Sequence, residues 1–140
     1  MPTDIRFTVA NTPGTTAKAA RVLGDAGIAI SGIGCDIRPG EGWGYIHFLV
    51  DDATEAVRAL EGGGFEVLDI HEVDLVKTEE RPGALADICQ SYADRGENIE
   101  VLYAAFSNRV VVGTESQRRM VMGRTTAEAS YADTRVSHEP

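Results

Sequence analysis

The sequence predicts an α+β protein made of two tandem β-α-β-β-α-β modules, the second abbreviated at its C-terminal end. Three observations predict it. Runs with the two-residue period of strands alternate with runs of helical spacing, in the order β-α-β-β-α-β. A tight strand-to-helix turn, Asn11-Thr12-Pro13-Gly14-Thr15, has a second version in Glu80-Arg81-Pro82-Gly83-Ala84. A shift of 69 positions lays Pro13 on Pro82, Gly14 on Gly83, Ala17 on Ala86, Gly27 on Gly96 and Ile30 on Ile99 without a gap.

The first strand is the alternation of Ile5, Phe7 and Val9 against Arg6 and Thr8. Thr12 is the expected cap of the helix that follows, with proline at its first turn, where a missing N–H costs nothing. Ala17, Ala20, Leu23 and Ala26 make the expected buried stripe, and Gly27 ends the helix. The run Ile28 to Ile37 reads as a second strand that changes parity between Ile30 and Ile33. Gly32 and Gly34 flank the change, which predicts a bulge or a close approach to the backbone. After the Pro39–Gly42 turn, Trp43 to Val50 forms a third strand. Its Ile46, Phe48 and Val50 share one face, and Trp43, Tyr45 and His47 share the other. That second face is too apolar for a solvent side, so another sheet or a second subunit is expected over it.

Asp52 and Glu55 have the spacing of a capping box before a helix striped by Ala53, Ala56, Val57 and Leu60. Gly62-Gly63-Gly64 ends that helix and Phe65 to Ile70 closes the first module, giving domains 1–70 and 71–140 with almost no linker. In the second module the expected elements are a strand at Val73–Thr78 and a helix striped by Leu85, Ile88, Cys89 and Tyr92. Strands up to Phe106 and from Arg109 to Thr114 follow, joined by Ser107-Asn108. Beyond that the repeat degrades to a brief helix at Ser116–Met122 and a last strand through Ala127, Ala129 and Tyr131.

Composition excludes several functions. A formal charge of −9 argues against nucleic acid and anionic membranes as partners, because a phosphate backbone demands a basic face. No apolar run is long enough to span a bilayer, and the first residues show no signal-peptide pattern, so a cytoplasmic protein is expected. Cys35 and Cys89 are expected as buried, reduced thiols. His47, His71 and His138 fall outside any metal-ligand spacing, and no nucleophile motif occurs, so neither metal nor cofactor nor catalytic residue is expected. The glycine-rich stretch Gly40–Gly44 joins two strands, which is the wrong setting for a phosphate loop.

The paired turns, with Ala26-Gly27-Ile28-Ala29-Ile30 after one helix and Gly96-Glu97-Asn98-Ile99 after the other, resemble the ACT domain. That is a small ferredoxin-like regulatory module found in amino-acid-controlled enzymes, and the resemblance covers about the first 115 residues. It implies a non-catalytic regulatory or sensor protein that binds a small amino acid between two modules and forms a homodimer through strand edges or a sheet face. Serine-binding members hold the ligand with an asparagine ahead of the Pro-Gly turn and another opening the partner's second strand. By that likeness one site comprises Asn11, Thr12, Pro13, Gly14 and Thr15 opposite Asn98, Ile99 and Leu102. A second, weaker pocket comprises Glu80, Arg81, Pro82 and Gly83 opposite Ala29 and Ile30. An asparagine amide can donate to a carboxylate and accept from an ammonium, and a helix start adds N–H donors. Two other classes stay open: an adaptor that keeps the fold without a ligand, and a small enzyme on the same scaffold.

Overall fold

The computed structural model describes residues 1–120, with the side chain of Met120 excepted. The elements run β1 Thr3–Ala10, α1 Thr15–Asp25, β2 Gly32–Ile37, β3 Trp43–Val50, α2 Ala53–Gly62 and β4 Val67–Glu72. They continue with β5 Asp74–Lys77, α3 Ala84–Asp94, β6 Ile99–Ala105 and β7 Arg109–Thr114, then a 3-10 turn Glu115–Gln117 and β8 Arg118–Met120. All strands join one eight-stranded sheet in the order β5-β7-β6-β2-β3-β1-β4-β8, and every pairing is antiparallel.

The sheet folds over on itself. Only Val73 separates β4 from β5, although these strands lie near opposite ends of the strand order. Where β2 meets β6 the sole registered pair is Gly32 with Ala105. The two halves of the sheet therefore face each other, with helices on the outer sides.

Three clusters record this layering. The largest lies between the first half-sheet and α1 and α2, built on Ile5, Phe7, Ile46, Phe48, Leu23 and Leu60. Phe7 sits edge-on to Phe48 at 5.0 Å and to Phe65 at 5.7 Å. Each such fully buried side chain stabilises the fold by about 1.5–3 kcal/mol. The second cluster, Leu49, Val73, Val101 and Val111, fills the space between the half-sheets. The third, Tyr92, Val110 and Val112, seats α3 on the far side. Consecutive valines of β7 thus serve two layers, Val111 the inner and its neighbours the outer, as strand alternation requires.

Gly32 and Gly34 explain the close packing of the half-sheets. A Cβ on Gly32 would lie 3.1 Å from the Ala105 Cβ and 3.2 Å from the Tyr103 ring, and one on Gly34 would lie 3.4 Å from that ring. The expected close approach to this backbone comes from β6. The expected cover over the His47 face is likewise supplied from within the chain, since His47 stacks near Tyr103 at 5.8 Å and Leu49 joins the inner cluster.

Other expectations need correction. The strand after α1 starts at Gly32 rather than Ile28; Ile28 and Ile30 instead pack partly buried against the first core. The buried face of α1 is Ala19 and Leu23 with Ala20 and Val22, while Ala17 and Ala26 are exposed. In so alanine-rich a helix several faces are small enough to pack, and the larger Val22 and Leu23 set the rotation. The cap of α1 is Gly14, left-handed at φ 92°, and not Thr12, whose hydroxyl meets that of Thr15 at 2.7 Å. Asp52 does cap α2, accepting from the Glu55 N–H at 3.2 Å. Cys35 is exposed and Cys89 half-buried. Leu85, expected in the stripe of α3, is exposed, and Tyr92 carries the contact. Residues 115–120 form a single 3-10 turn and then a strand, because Arg118 to Met120 pair with His71 to Asp69 at the β4 edge. The expected strand through Ala127, Ala129 and Tyr131 lies outside the described residues.

Candidate functional site

The first turn hangs from the end of β1. The Asn11 N–H donates to the Gly42 carbonyl at 3.0 Å and the Thr12 N–H to the Ala10 carbonyl at 2.9 Å. The Lys18 N–H then makes the bond to Gly14 at 2.9 Å that begins α1. No side chain caps this helix and no acidic residue lies in its first turn; the Thr15 N–H donates to the Thr12 carbonyl at 3.3 Å, and the N–H groups of Thr16 and Ala17 remain at the positive end of the helix dipole. Asn11, Thr12, Pro13 and Gly14 are exposed and Thr15 is half-buried.

The second turn has the same backbone, with Gly83 left-handed at φ 86°. Its chemistry differs: Asp87 occupies the first turn of α3, and Arg81 lies across it, 3.0 Å from Asp87 and 3.4 Å from Glu79. An arriving anion would meet a carboxylate already in place. Ala29, on the other wall of this weaker pocket, is exposed and Ile30 half-buried.

Asn98 lies at the mouth of β6. With Gly96, Glu97, Thr114, Glu115 and Ser116 it lines a cavity of about 320 Å³, and its carbonyl accepts from the Glu115 N–H at 3.1 Å. Ile99 is half-buried beside α3, and Leu102 is exposed. Among the described contacts, none joins the Asn11 turn to Asn98 within one chain.

The densest polar chemistry lies elsewhere, between the half-sheets. Asp4, fully buried, accepts from the Tyr103 hydroxyl at 2.6 Å and from His47 Nδ1 at 2.9 Å. Burial and the neighbouring Asp4 carboxylate push the Tyr103 phenol well above its ordinary range. Beside this group a cleft of about 310 Å³ is lined by Arg6, Arg38 and Arg118, and by Asp69, His71 and Glu100. Arg6 donates to Asp69 Oδ2 at 2.6 Å, and His71 Nε2 donates to Glu100 Oε1 at 3.1 Å. Two register shifts shape it: one in the β1–β4 pairing at Arg6/Phe7, the other in the β6–β7 pairing at Ile99/Val101. The second leaves Glu100 without a registered partner, which re-aims its side chain toward His71.

Sequence reasoning passed over this cleft. The available signal was polar alternation on a face that ought to be buried, with Asp4 and Arg6 on β1 and Asp69 and His71 on β4. Among the described residues, no three His, Cys, Asp or Glu side chains converge as a metal would need. No described helix is long and apolar enough to cross a membrane.

No family model and no curated protein matches the chain. Solved structures do. A protein from Bacteroides thetaiotaomicron is 25% identical over 81% of this chain and 78% of its own, with a TM-score of 0.68. The ligand-free regulatory subunit of aspartate kinase from Thermus thermophilus is 25% identical over 99% of this chain and 93% of its own, at a TM-score of 0.62. The regulatory subunit of aspartate kinase from Thermus flavus matches over the same shares at 25% identity and a TM-score of 0.60. The fold is that of ACT-domain proteins. Like those structures, the chain combines α and β structure, with three helices among the described residues and one antiparallel sheet of eight strands. Two of the structures it resembles are regulatory subunits.

Proposed function

We propose that this protein is a non-catalytic regulatory sensor of a small amino acid, built from two ACT-like modules at 1–70 and 71–140, the second abbreviated. The observation that carries the reading is the uncapped start of α1 behind Asn11, with Gly14 left-handed and the first turn free of acidic groups. Such a helix start receives a carboxylate, and the Asn11 amide can accept from the ammonium of the same ligand. The facing wall is Asn98, Ile99 and Leu102. Since no described contact brings this wall to Asn11 inside one chain, we take the crevice to be shared between two copies in a homodimer. Ile33 on β2 and Leu102 on β6 are both exposed, and they supply an apolar seam for that pairing. The turn at Glu80 to Gly83, opposite Ala29 and Ile30, is the weaker site because Asp87 and Glu79 already engage Arg81.

Calorimetric titration with each of the twenty amino acids tests the reading. One small amino acid is expected to bind saturably, with at least a tenfold loss in Asn11→Ala, the size of one lost hydrogen bond to a charged group. Sedimentation is expected to show a dimer that Leu102→Glu dissociates. Saturable binding that ignores Asn11→Ala would remove this site.

A further inference from the structure

The cleft between the half-sheets holds two buried atoms that nothing in the described structure satisfies. Asp69 Oδ1 and His71 Nδ1 have no hydrogen-bond partner, on side chains that are only 3% and 4% exposed. They lie 3.8 Å apart, too far to bond one another. Their other atoms are engaged: Asp69 Oδ2 accepts from Arg6 at 2.6 Å, and His71 Nε2 donates to Glu100 at 3.1 Å. With its proton on Nε2, a neutral His71 presents a lone pair at Nδ1. Two acceptors thus lie side by side without partners at the wall of the cleft, and a buried acceptor left unpaired costs about 1–3 kcal/mol. A single donor with two hydrogens satisfies both, and a primary ammonium, like a water, is such a group.

The rest of the cleft selects what the ammonium is attached to. Arg118 and Arg38 line it with half-exposed side chains, and their own pairings are long, 3.6 Å to Glu100 and 4.0 Å to Glu41. Good charge-assisted bonds run at about 2.7–2.9 Å, so both guanidiniums have donors to spare. Three guanidiniums face Asp36, Asp69 and Glu100, so the arginines and carboxylates of the lining balance, although the chain as a whole carries −9. A balanced lining with separated poles suits a zwitterion better than a dication or a dianion. About 310 Å³ admits a small molecule.

We propose that this cleft is a second ligand site, taking a small zwitterion whose primary ammonium bridges Asp69 and His71 and whose carboxylate meets Arg118 and Arg38. It is separate from the Asn11 crevice and does not depend on it. The site lies where the half-sheets meet, with β4 and β8 on one side and β6 on the other, so an occupant bears directly on how they pack.

The test uses the full chain and the probes glycine, β-alanine, 4-aminobutanoate and 5-aminopentanoate, with butylamine and butanoate as the separated halves. The readout is the nitrogen-15 resonance of His71 Nδ1. One chain length is expected to move it saturably, while the two halves at the same concentration leave it in place. Arg118→Ala, a change at a half-exposed position, is expected to weaken that binding about tenfold, the loss of one charged hydrogen bond. Asn11→Ala is expected to leave it unchanged. A resonance unmoved by every probe, or moved equally in Arg118→Ala, would overturn the proposal and leave the cleft a water site. Calorimetric binding that vanishes in Asn11→Ala while His71 stays silent would also overturn it and would assign the ligand to the other crevice alone.

Discussion

The Tyr103 hydroxyl donates to Oδ1 of Asp4 across 2.6 Å, tying β6 to a carboxylate on β1 that has no exposed surface. To reach it the phenol ring crosses the face of β2 above Gly34 and passes His47 on β3. His47 binds the same carboxylate from the side, at 2.9 Å to Oδ2 and 3.1 Å to Oδ1. A buried carboxylate is tolerable only with such partners, so the contact between the half-sheets and the satisfaction of Asp4 are one requirement.

Tyr103→Phe keeps the ring and removes the donor. His47 still holds Asp4, so the expected outcome is a folded protein destabilised by about 1–3 kcal/mol, the cost of one buried bond to a charged group. Urea unfolding monitored by far-ultraviolet circular dichroism checks it. An unchanged midpoint would mean that the tyrosine hydroxyl contributes nothing to the interface.

Alkaline stability follows from the same group. In the folded state burial, and then Asp4, hold the Tyr103 phenol protonated far above its ordinary pKa, whereas the unfolded chain ionises near pH 10. Below about pH 10 both states carry the proton and the contribution is complete. Above it only the unfolded state releases the proton, so stability falls as pH rises, by about 1.4 kcal/mol per pH unit for this one tyrosine. Tyr92 adds a loss in the same direction that ends near its folded value of about 12, raised by burial and by Asp74, to which its hydroxyl donates at 2.6 Å. Chemical unfolding at pH 9, 10 and 11 is expected to show the decline in the wild type and a shallower one in Tyr103→Phe. Parallel declines in the two proteins would contradict it.

What was legible in the sequence was whatever depends on neighbours along the chain. The alternation of Ile5, Phe7 and Val9, the cap at Asp52 and the two Pro-Gly turns each report a local geometry, and each lies where it was expected. Ser107 and Asn108 also lie in the expected turn, both left-handed at φ 64° and 54°, within the three-residue connection between the paired Ala105 and Arg109. What was hidden depends on partners far apart in sequence. Tyr103 and Asp4 are 99 positions apart, His71 and Glu100 are 29, and no period or spacing links them. The exposure of Cys35 belongs to the same class. Cys35 and Ile33 share one face of β2, and that face is exposed at both, whereas the helices cover Ile46 and Phe48 on the next strand. The candidate site was legible only in part. Asn11 and Asn98 could be chosen by likeness, but the cleft of Asp69 and His71 exists only because the sheet folds back.

Two glycine substitutions separate packing from backbone cost. A methyl group on Gly32 would meet Ala105 at 3.1 Å, Tyr103 at 3.2 Å and Leu49 at 3.3 Å, all at the junction of the half-sheets. None of these is the free end of a flexible side chain, so β6 must move away. Gly32→Ala is therefore expected to destabilise by about 1–3 kcal/mol, the usual cost of overpacking a filled interior. Gly24 lies inside α1 with nothing within 4 Å of the added carbon. There alanine replaces the most flexible residue in a helix, so Gly24→Ala is expected to stabilise by about 0.5–1 kcal/mol. Thermal unfolding of both variants beside the wild type gives opposite shifts if the half-sheets meet closely at Gly32. A gain in both would show that the space above Gly32 is open, and the folded-back sheet would then be wrong at its junction.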